Sequence, residues 1–191
     1  RIFIDGKELS TQDALGTPHL HRIGKIAPGK HELMILVDNE MIHNIGDKGH
    51  AYGEYTQSIW NGIVGRMEMQ AKDATHFLST NVYSDIQKNE ISIKTVIHSE
   101  QKTTATIHYE IVSINNNEIV LSGNFTEKII PGENQLEYTI STANKLQLWS
   151  DFNTEVYAIK LSLNADKSID YYETEVGFYQ LSHNDTKLLV N

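Results

Sequence analysis

Through the second half of the chain, apolar and polar residues alternate with a period of two, the pattern of strands that bury one face. Ile91, Ile93, Thr95 and Ile97 interleave with Ser92, Lys94, Val96 and His98. Ala105, Ile107, Tyr109 and Ile111 repeat the pattern, and so do Leu136, Tyr138 and Ile140. Turn-forming clusters at 87–90, 100–103, 115–117 and 131–134 separate these runs. About seven strands at this spacing, with no helical period, predict an immunoglobulin-like β-sandwich.

The first 71 residues carry weaker strand signals. Residues 1–4 (RIFI) form a short apolar run, and Asp5-Gly6 is a tight-turn dipeptide that sends residues 7–9 back along it. Residues 20–23 are a further strand candidate. After the turn residues Pro28-Gly29-Lys30, residues 32–39 (ELMILVDN) read as a strand buried on both faces. Ile63, Gly65, Met67, Met69 and Ala71 alternate with Val64, Arg66, Glu68 and Gln70, which predicts a half-buried strand. The polar break at 72–75 (KDAT) marks a domain boundary.

Between these elements, His50, Tyr52, Glu54, Tyr55, Thr56, Gln57, Trp60 and Asn61 mix polar and aromatic side chains without any apolar face. Such a mixture suits a surface that hydrogen-bonds hydroxyls and stacks on flat apolar faces, as sugar-binding surfaces do. The plainer alternative is a hairpin whose Trp60 fills a core and whose Asn61-Gly62 makes the turn.

Composition narrows the function. The chain has 191 residues, 39% hydrophobic and 21% charged, which is a globular and not a disordered composition. A net charge of −9 without a Lys/Arg cluster argues against nucleic acid. With no cysteine, neither a disulfide nor a zinc-thiolate site is expected. The longest purely apolar run, 33–37, is far short of the ~20 residues of a membrane span, so no span is expected. His19 and His21 form an H-x-H with His43 and His50 nearby, but no third ligand has convincing spacing, so no metal is expected. His31-Glu32 begins no H-E-x-x-H, because Ile35 stands in the last place. Neither a nucleophile elbow nor a phosphate-binding loop occurs, and no cofactor is expected. Asn124-Phe125-Thr126 and Asn184-Asp185-Thr186 match the glycosylation sequon, a pattern that arises often by chance. A start at Arg1 without Met suggests part of a longer protein.

The run H-A-Y-x-E-x-T-Q-x-x-W-N-G-I-x-G-R, carried by His50, Glu54, Thr56, Gln57, Trp60, Asn61, Gly62, Ile63, Gly65 and Arg66, resembles the end of the sugar-binding jelly-roll domain of glycoside hydrolase family 2. Residues 1–7 and 28–39 are similar to that domain's V-x-V-N-G-K and P-G-x-H-x-L-x-I-x-V-D-N segments. Leu148-Trp149-Ser150 with Val156-Tyr157 resembles the family's L-W-S-P-x-x-P-x-L-Y-x-L, with Asp151 and Thr154 in place of both prolines. Val176-Gly177-Phe178 resembles the last strand of the family's immunoglobulin-like domain, with Tyr179 where Arg is usual. Residues 188–191 (LLVN) resemble the lead into its catalytic barrel.

The resemblance implies an all-β chain in three parts. Residues 1–71 would be the later half of a jelly-roll sandwich with five or six of its roughly eight strands, one face needing a neighbour to cover it. Residues 72–182 would be an immunoglobulin-like β-sandwich, and 183–191 the start of a linker to a catalytic barrel that lies outside the chain. Both catalytic glutamates of the family sit on that barrel, so no catalytic residue is expected here. Glu173, Glu175 and the Arg66/Glu68 pair read as solvated charge, and Asp47 with Glu54 as no catalytic pair. The candidate sugar-contacting or active-site-edge residues are His50, Glu54, Gln57, Trp60 and Asn61. Gln57 and Asn61 offer amides that donate and accept, and Glu54 accepts; Trp60 stacks on a sugar or anchors its loop. Thr56 or Gln57 occupies the place of the family's sugar-contacting acid.

The expected function is therefore a non-catalytic accessory region of a β-galactosidase-like glycosidase. Its partners would be a terminal β-linked carbohydrate and the barrel, with self-association left open and a bacterial periplasmic or secreted location favoured. The rival expectations are a stand-alone carbohydrate-binding or adhesion module, and a structural sandwich pair whose aromatic loop is an oligomer contact.

Overall fold

The computed structural model describes all residues except 15, 51–54 and 56–61. The described residues are all-β, with no helix, and the chain divides into two compact units, Arg1–Glu68 and Met69–Asn191.

In the first unit, β1 (Ile2–Ile4), β2 (Lys7–Ser10) and β3 (Leu33–Ile35) form an antiparallel sheet in the order β2-β1-β3. Asp5 and Gly6 both take positive φ, 50° and 77°, as a two-residue type I′ hairpin requires. Ile2 and Ile4 are buried beneath it.

Three strand expectations are corrected here. Residues 32–39 contribute only the three residues of β3, and Leu33, Met34, Leu36 and Val37 are all exposed. Residues 20–23 form no strand. Residues 63–71 form none either, and Ile63 and Val64, which alternation assigns to opposite faces, are 55% and 79% exposed. Alternation states which face a segment is able to bury. A strand also needs a hydrogen-bonding neighbour and a layer over it, and among the described residues this unit holds only three strands.

The second unit meets both needs. Seven strands, β4 (Thr75–Asp85), β5 (Glu90–Ser99), β6 (Thr103–Ser113), β7 (Ile119–Ile129), β8 (Gly132–Ser141), β9 (Val156–Ala165) and β10 (Ser168–Gly177), make two antiparallel sheets, β4-β5-β8 and β10-β9-β6-β7. Only β4-β5, β6-β7 and β9-β10 are hairpins; the other connections cross between sheets, giving the interleaved topology of an immunoglobulin-like sandwich. A two-stranded ribbon, β11 (Leu181–Asn184) and β12 (Lys187–Val190), follows.

The inward positions are those the alternation marks. Ile91, Ile93 and Ile97 of β5 meet Ala105, Ile107 and Ile111 of β6 and Ile159, Leu161 and Leu163 of β9 in one cluster. Each fully buried isoleucine is worth about 1.5–3 kcal/mol relative to an exposed one. Tyr157, at the start of β9, turns its hydroxyl back to accept the Gln147 N–H at 2.8 Å, the tyrosine corner of this fold.

Side-chain bonds tie the first strand to the last. One oxygen of Asp170 accepts from Lys72 Nζ at 2.7 Å and the other from the Phe77 N–H at 2.9 Å. Asp73 accepts the Ile169 N–H, and the Tyr172 hydroxyl donates to the Thr80 carbonyl. The polar residues 72 and 73, expected to be a break, are thus fixed to the sandwich.

An aromatic stack runs from Tyr109 of β6 through Phe125 of β7 to Tyr138 of β8, with centroid separations of 5.1 and 4.0 Å. It depends on Gly123, the register partner of Tyr109, because a Cβ there would lie 2.7 Å from the Tyr109 hydroxyl. Gly123→Ala is expected to displace Tyr109 and lower the unfolding free energy by about 1–3 kcal/mol, read from the urea midpoint at unchanged slope. Tyr157→Phe leaves the Gln147 N–H without its acceptor and is expected to cost about 1–2 kcal/mol in the same assay.

Candidate functional site

Of the residues singled out in the sequence, His50 stands exposed in a turn. Glu54, Gln57, Trp60 and Asn61 lie outside the described residues; of the expected Asn61-Gly62 turn only Gly62 is described, exposed and at a φ of 94°. Asp47 is exposed. Glu173 and Glu175 are exposed on one face of β10, with Lys160 opposite Glu173, and Arg66 lies 3.3 Å from Glu68 with both side chains in solvent.

His19, His21, His31 and His43 of the first unit are engaged in local structure. His21 Nδ1 lies 2.6 Å from Ser10 Oγ, His19 Nε2 lies 2.8 Å from the Ala14 carbonyl, and their ring centroids are 6.2 Å apart. Desolvation and the neighbouring His19 hold His21 below the usual histidine range. His43 pairs with Asp13 at 3.0 Å.

His31 does more than its failed zinc motif suggests. Its Nδ1 lies 2.7 Å from Asp5 Oδ2 and its Nε2 lies 2.7 Å from the Ala27 carbonyl. Both partners are acceptors, so both bonds form together only when both nitrogens carry protons, and the arrangement favours the cationic ring. The other Asp5 oxygen accepts the Glu32 N–H, while the Asp5 N–H donates to the Glu32 carbonyl. One turn aspartate therefore clasps the β1-β2 hairpin to the entry of β3. The hydrogen bond from His31 holds Asp5 below the usual carboxylate range, and the bond to Asp5 raises His31. The dipeptide Asp5-Gly6 signals the turn; the pairing with His31, 26 residues away, has no local signal.

In the second unit the resembling segments converge on one end of the sandwich. The Trp149 N–H donates to the Phe178 carbonyl at 2.9 Å, and its ring lies 5.6 Å from that of Tyr179. Gly177 leaves room for this pair, since a Cβ would meet Tyr179 at 3.1 Å and Trp149 at 3.4 Å. Asn191 donates from Nδ2 to the Trp149 carbonyl and accepts the Gln180 N–H at Oδ1. Beside this corner, Ser150 and Asn153 exchange two backbone hydrogen bonds around a turn whose Phe152 is 100% exposed. Leu148, Tyr179, Leu181 and Leu188 are exposed as well. A shallow groove of about 500 Å³ crosses the outer face of β4-β5-β8, lined by Tyr83, Asp85, Ser92, Lys94, Glu137 and Gln180. Buried Glu155 accepts from Ser113 and Asn115 and pins the β6-β7 turn.

Comparison with known proteins connects these features. Residues 74–178 match the model of glycosyl hydrolases family 2. Over 185 residues the chain is 21% identical to a β-galactosidase of Thermoanaerobacterium thermosulfurigenes, a match covering 93% of this chain and 25% of that protein. The chain thus spans about a quarter of the length of this curated relative. A putative β-galactosidase from Bacteroides fragilis superposes with a TM-score of 0.55 at 14% identity, over 63% of this chain and 20% of that one. A glycosyl hydrolase family 2 member from Bacteroides cellulosilyticus gives 0.54 at 16% identity, over 63% and 16%. A family 2 β-glucuronidase gives 0.53 at 20%, over 63% and 14%. At these identities the structural likenesses show the fold.

The clasp in the first unit has a signed pH dependence. The His31 contribution is fully present below the ordinary value of 6.5 and is lost as pH rises through its raised folded value. The Asp5 contribution is present above 3.8 and is lost as pH falls through its lowered folded value. The clasp is therefore expected to stabilise most between those two pH values. Proton-NMR titration should place His31 above the ordinary histidine value, and Asp5→Asn should bring it down.

Proposed function

Because residues 74–178, more than half of the chain, match its model, the chain belongs to glycosyl hydrolases family 2, and we propose that it is a non-catalytic frame of a β-galactosidase-like enzyme. In this reading residues 1–71 are the later half of a sugar-binding jelly roll and 72–182 an immunoglobulin-like domain. Residues 183–191 begin the link to a catalytic barrel that carries both catalytic glutamates. The loop with His50, Glu54, Gln57, Trp60 and Asn61 borders the mouth of that barrel and helps to select a terminal β-linked sugar.

The observation that carries the proposal is the end of the sandwich around Trp149. Phe152 projects fully into solvent from a hydrogen-bonded turn, and Leu148, Tyr179, Leu181 and Leu188 are exposed in the segments that the Trp149, Phe178 and Asn191 hydrogen bonds bring together. An aromatic side chain exposed from a hydrogen-bonded turn, at an end of the sandwich that carries further exposed apolar residues, suits a protein contact. Its location, in segments that resemble the end of the family's immunoglobulin-like domain and tied through Asn191 to the residues that resemble the lead into the barrel, supports the barrel as the occupant.

The alternative reading, a stand-alone carbohydrate-binding module, draws on the groove that places exposed Tyr83 among Asp85, Ser92, Lys94 and Glu137. Calorimetry with galactose, mannose and glucuronate separates the two: silence supports the frame, appreciable affinity the module.

On aryl β-galactosides and β-glucuronides the 191-residue chain is expected to give no turnover, and measurable turnover overturns the frame. Phe152→Ser is expected to leave the unfolding free energy of this chain within about 0.5 kcal/mol. In the complete enzyme the same substitution should lower Tm; an unchanged Tm there counts against a docking role.

A further inference from the structure

His76 on β4 and His98 on β5 are register partners, so both side chains leave the sheet on its outer face, opposite buried Phe77 and Ile97. Their ring centroids are 5.3 Å apart. Two imidazoles that share a tetrahedral zinc at about 2.0–2.1 Å per bond have centroids about 5 Å apart.

A second observation concerns the tautomer. His76 Nδ1 lies 2.7 Å from the Asp73 carbonyl. A carbonyl only accepts, so Nδ1 carries a proton, and in the neutral ring Nε2 keeps its lone pair. A ring N–H anchored on a backbone carbonyl is how ligating histidines are oriented. On β8, Glu133 is the register partner of His98 and adds a carboxylate to the same row of the same face.

We infer that His76 and His98 form a binding site for a divalent transition metal, bridging β4 and β5. Among the described residues no three histidine, cysteine or carboxylate groups converge on one point. The pair therefore supplies two ligands, and water or the Glu133 carboxylate, after rotation of its side chain, completes the shell. Imidazole donors select Zn²⁺, Cu²⁺ or Ni²⁺ over Mg²⁺ and Ca²⁺. Both ligands are positioned by strand pairing that exists only in the folded chain, so the ion stabilises the sandwich through mass action. This inference does not depend on the proposed role in a glycosidase.

The test is thermal unfolding of the 191-residue chain with zinc chloride, with magnesium chloride as the comparison. Zinc at a hundredfold excess over Kd is expected to raise Tm by roughly 5 °C or more, and magnesium to leave it unchanged. His76→Gln and His98→Asn should each abolish the rise, and the double variant His19→Asn/His21→Asn should retain it. If a single variant is too unstable to compare, histidine Cε1–H shifts of the unmodified chain decide the matter. Zinc should move the His76 and His98 resonances together at one stoichiometric equivalent. No rise in Tm, a rise that survives His98→Asn, or shifts confined to His19 and His21 overturns the site.

Discussion

The sandwich exists because two sheets cover each other's apolar faces, and that requires its first and last strands to meet across different sheets. β4 and β10 share no backbone ladder. What joins them is a set of side-chain bonds, centred on the two Asp170 oxygens that hold Lys72 and the Phe77 N–H. Asp170 is only 7% exposed, so removing either partner leaves a buried polar group unmet, a cost of about 1–3 kcal/mol. The same seam fixes residues 72–75, where the chain enters the sandwich. The opposite end is held by the Trp149 N–H to the Phe178 carbonyl and by Asn191.

The second unit was legible in the sequence because β5, β6 and β8 alternate over most of their length and bury the face that alternation marks. Ile91, Ile93, Ile107 and Ile111 are all fully buried. The first unit was less so. Its hairpin followed from Asp5-Gly6, whose backbone demand is local. Residues 32–39 and 63–71 carry equally good patterns and remain open, because burial is decided by whether another layer lies over them, which no local pattern contains. The side-chain pairs were the least legible. Asp5 with His31 and Asp170 with Lys72 are 26 and 98 residues apart. The H-x-H of His19 and His21 was visible as a pair, whereas the closer pair, His76 and His98, appears only once the β4-β5 register is known.

Exposed apolar residues carry different information in the two units. Leu36 exchanges two backbone hydrogen bonds with Arg1 just beyond β3, yet Leu36, Val37, Ile63 and Val64 lie outside the strands and are all exposed, so among the described residues nothing buries them. Phe152 differs, because its turn is bonded from both sides. Ser150 Oγ accepts the N–H groups of Phe152 and Asn153, and Asn153 Nδ2 donates to Gln147 Oε1 and the Leu148 carbonyl. The family resemblance places prolines where this chain has Asp151 and Thr154. A proline restrains a turn through its fixed φ; here serine and asparagine side chains restrain it through hydrogen bonds. The result is the same in kind, an aromatic side chain held out on a backbone that has already lost its freedom. Docking such a side chain costs less ordering entropy than docking one from a loose loop. A rigid turn that shows a phenylalanine to water gains nothing for the sandwich itself, since Phe152 buries none of its surface there. That asymmetry, order without local benefit, supports the contact proposed for the Trp149 corner and has no counterpart among the exposed residues described in the first unit.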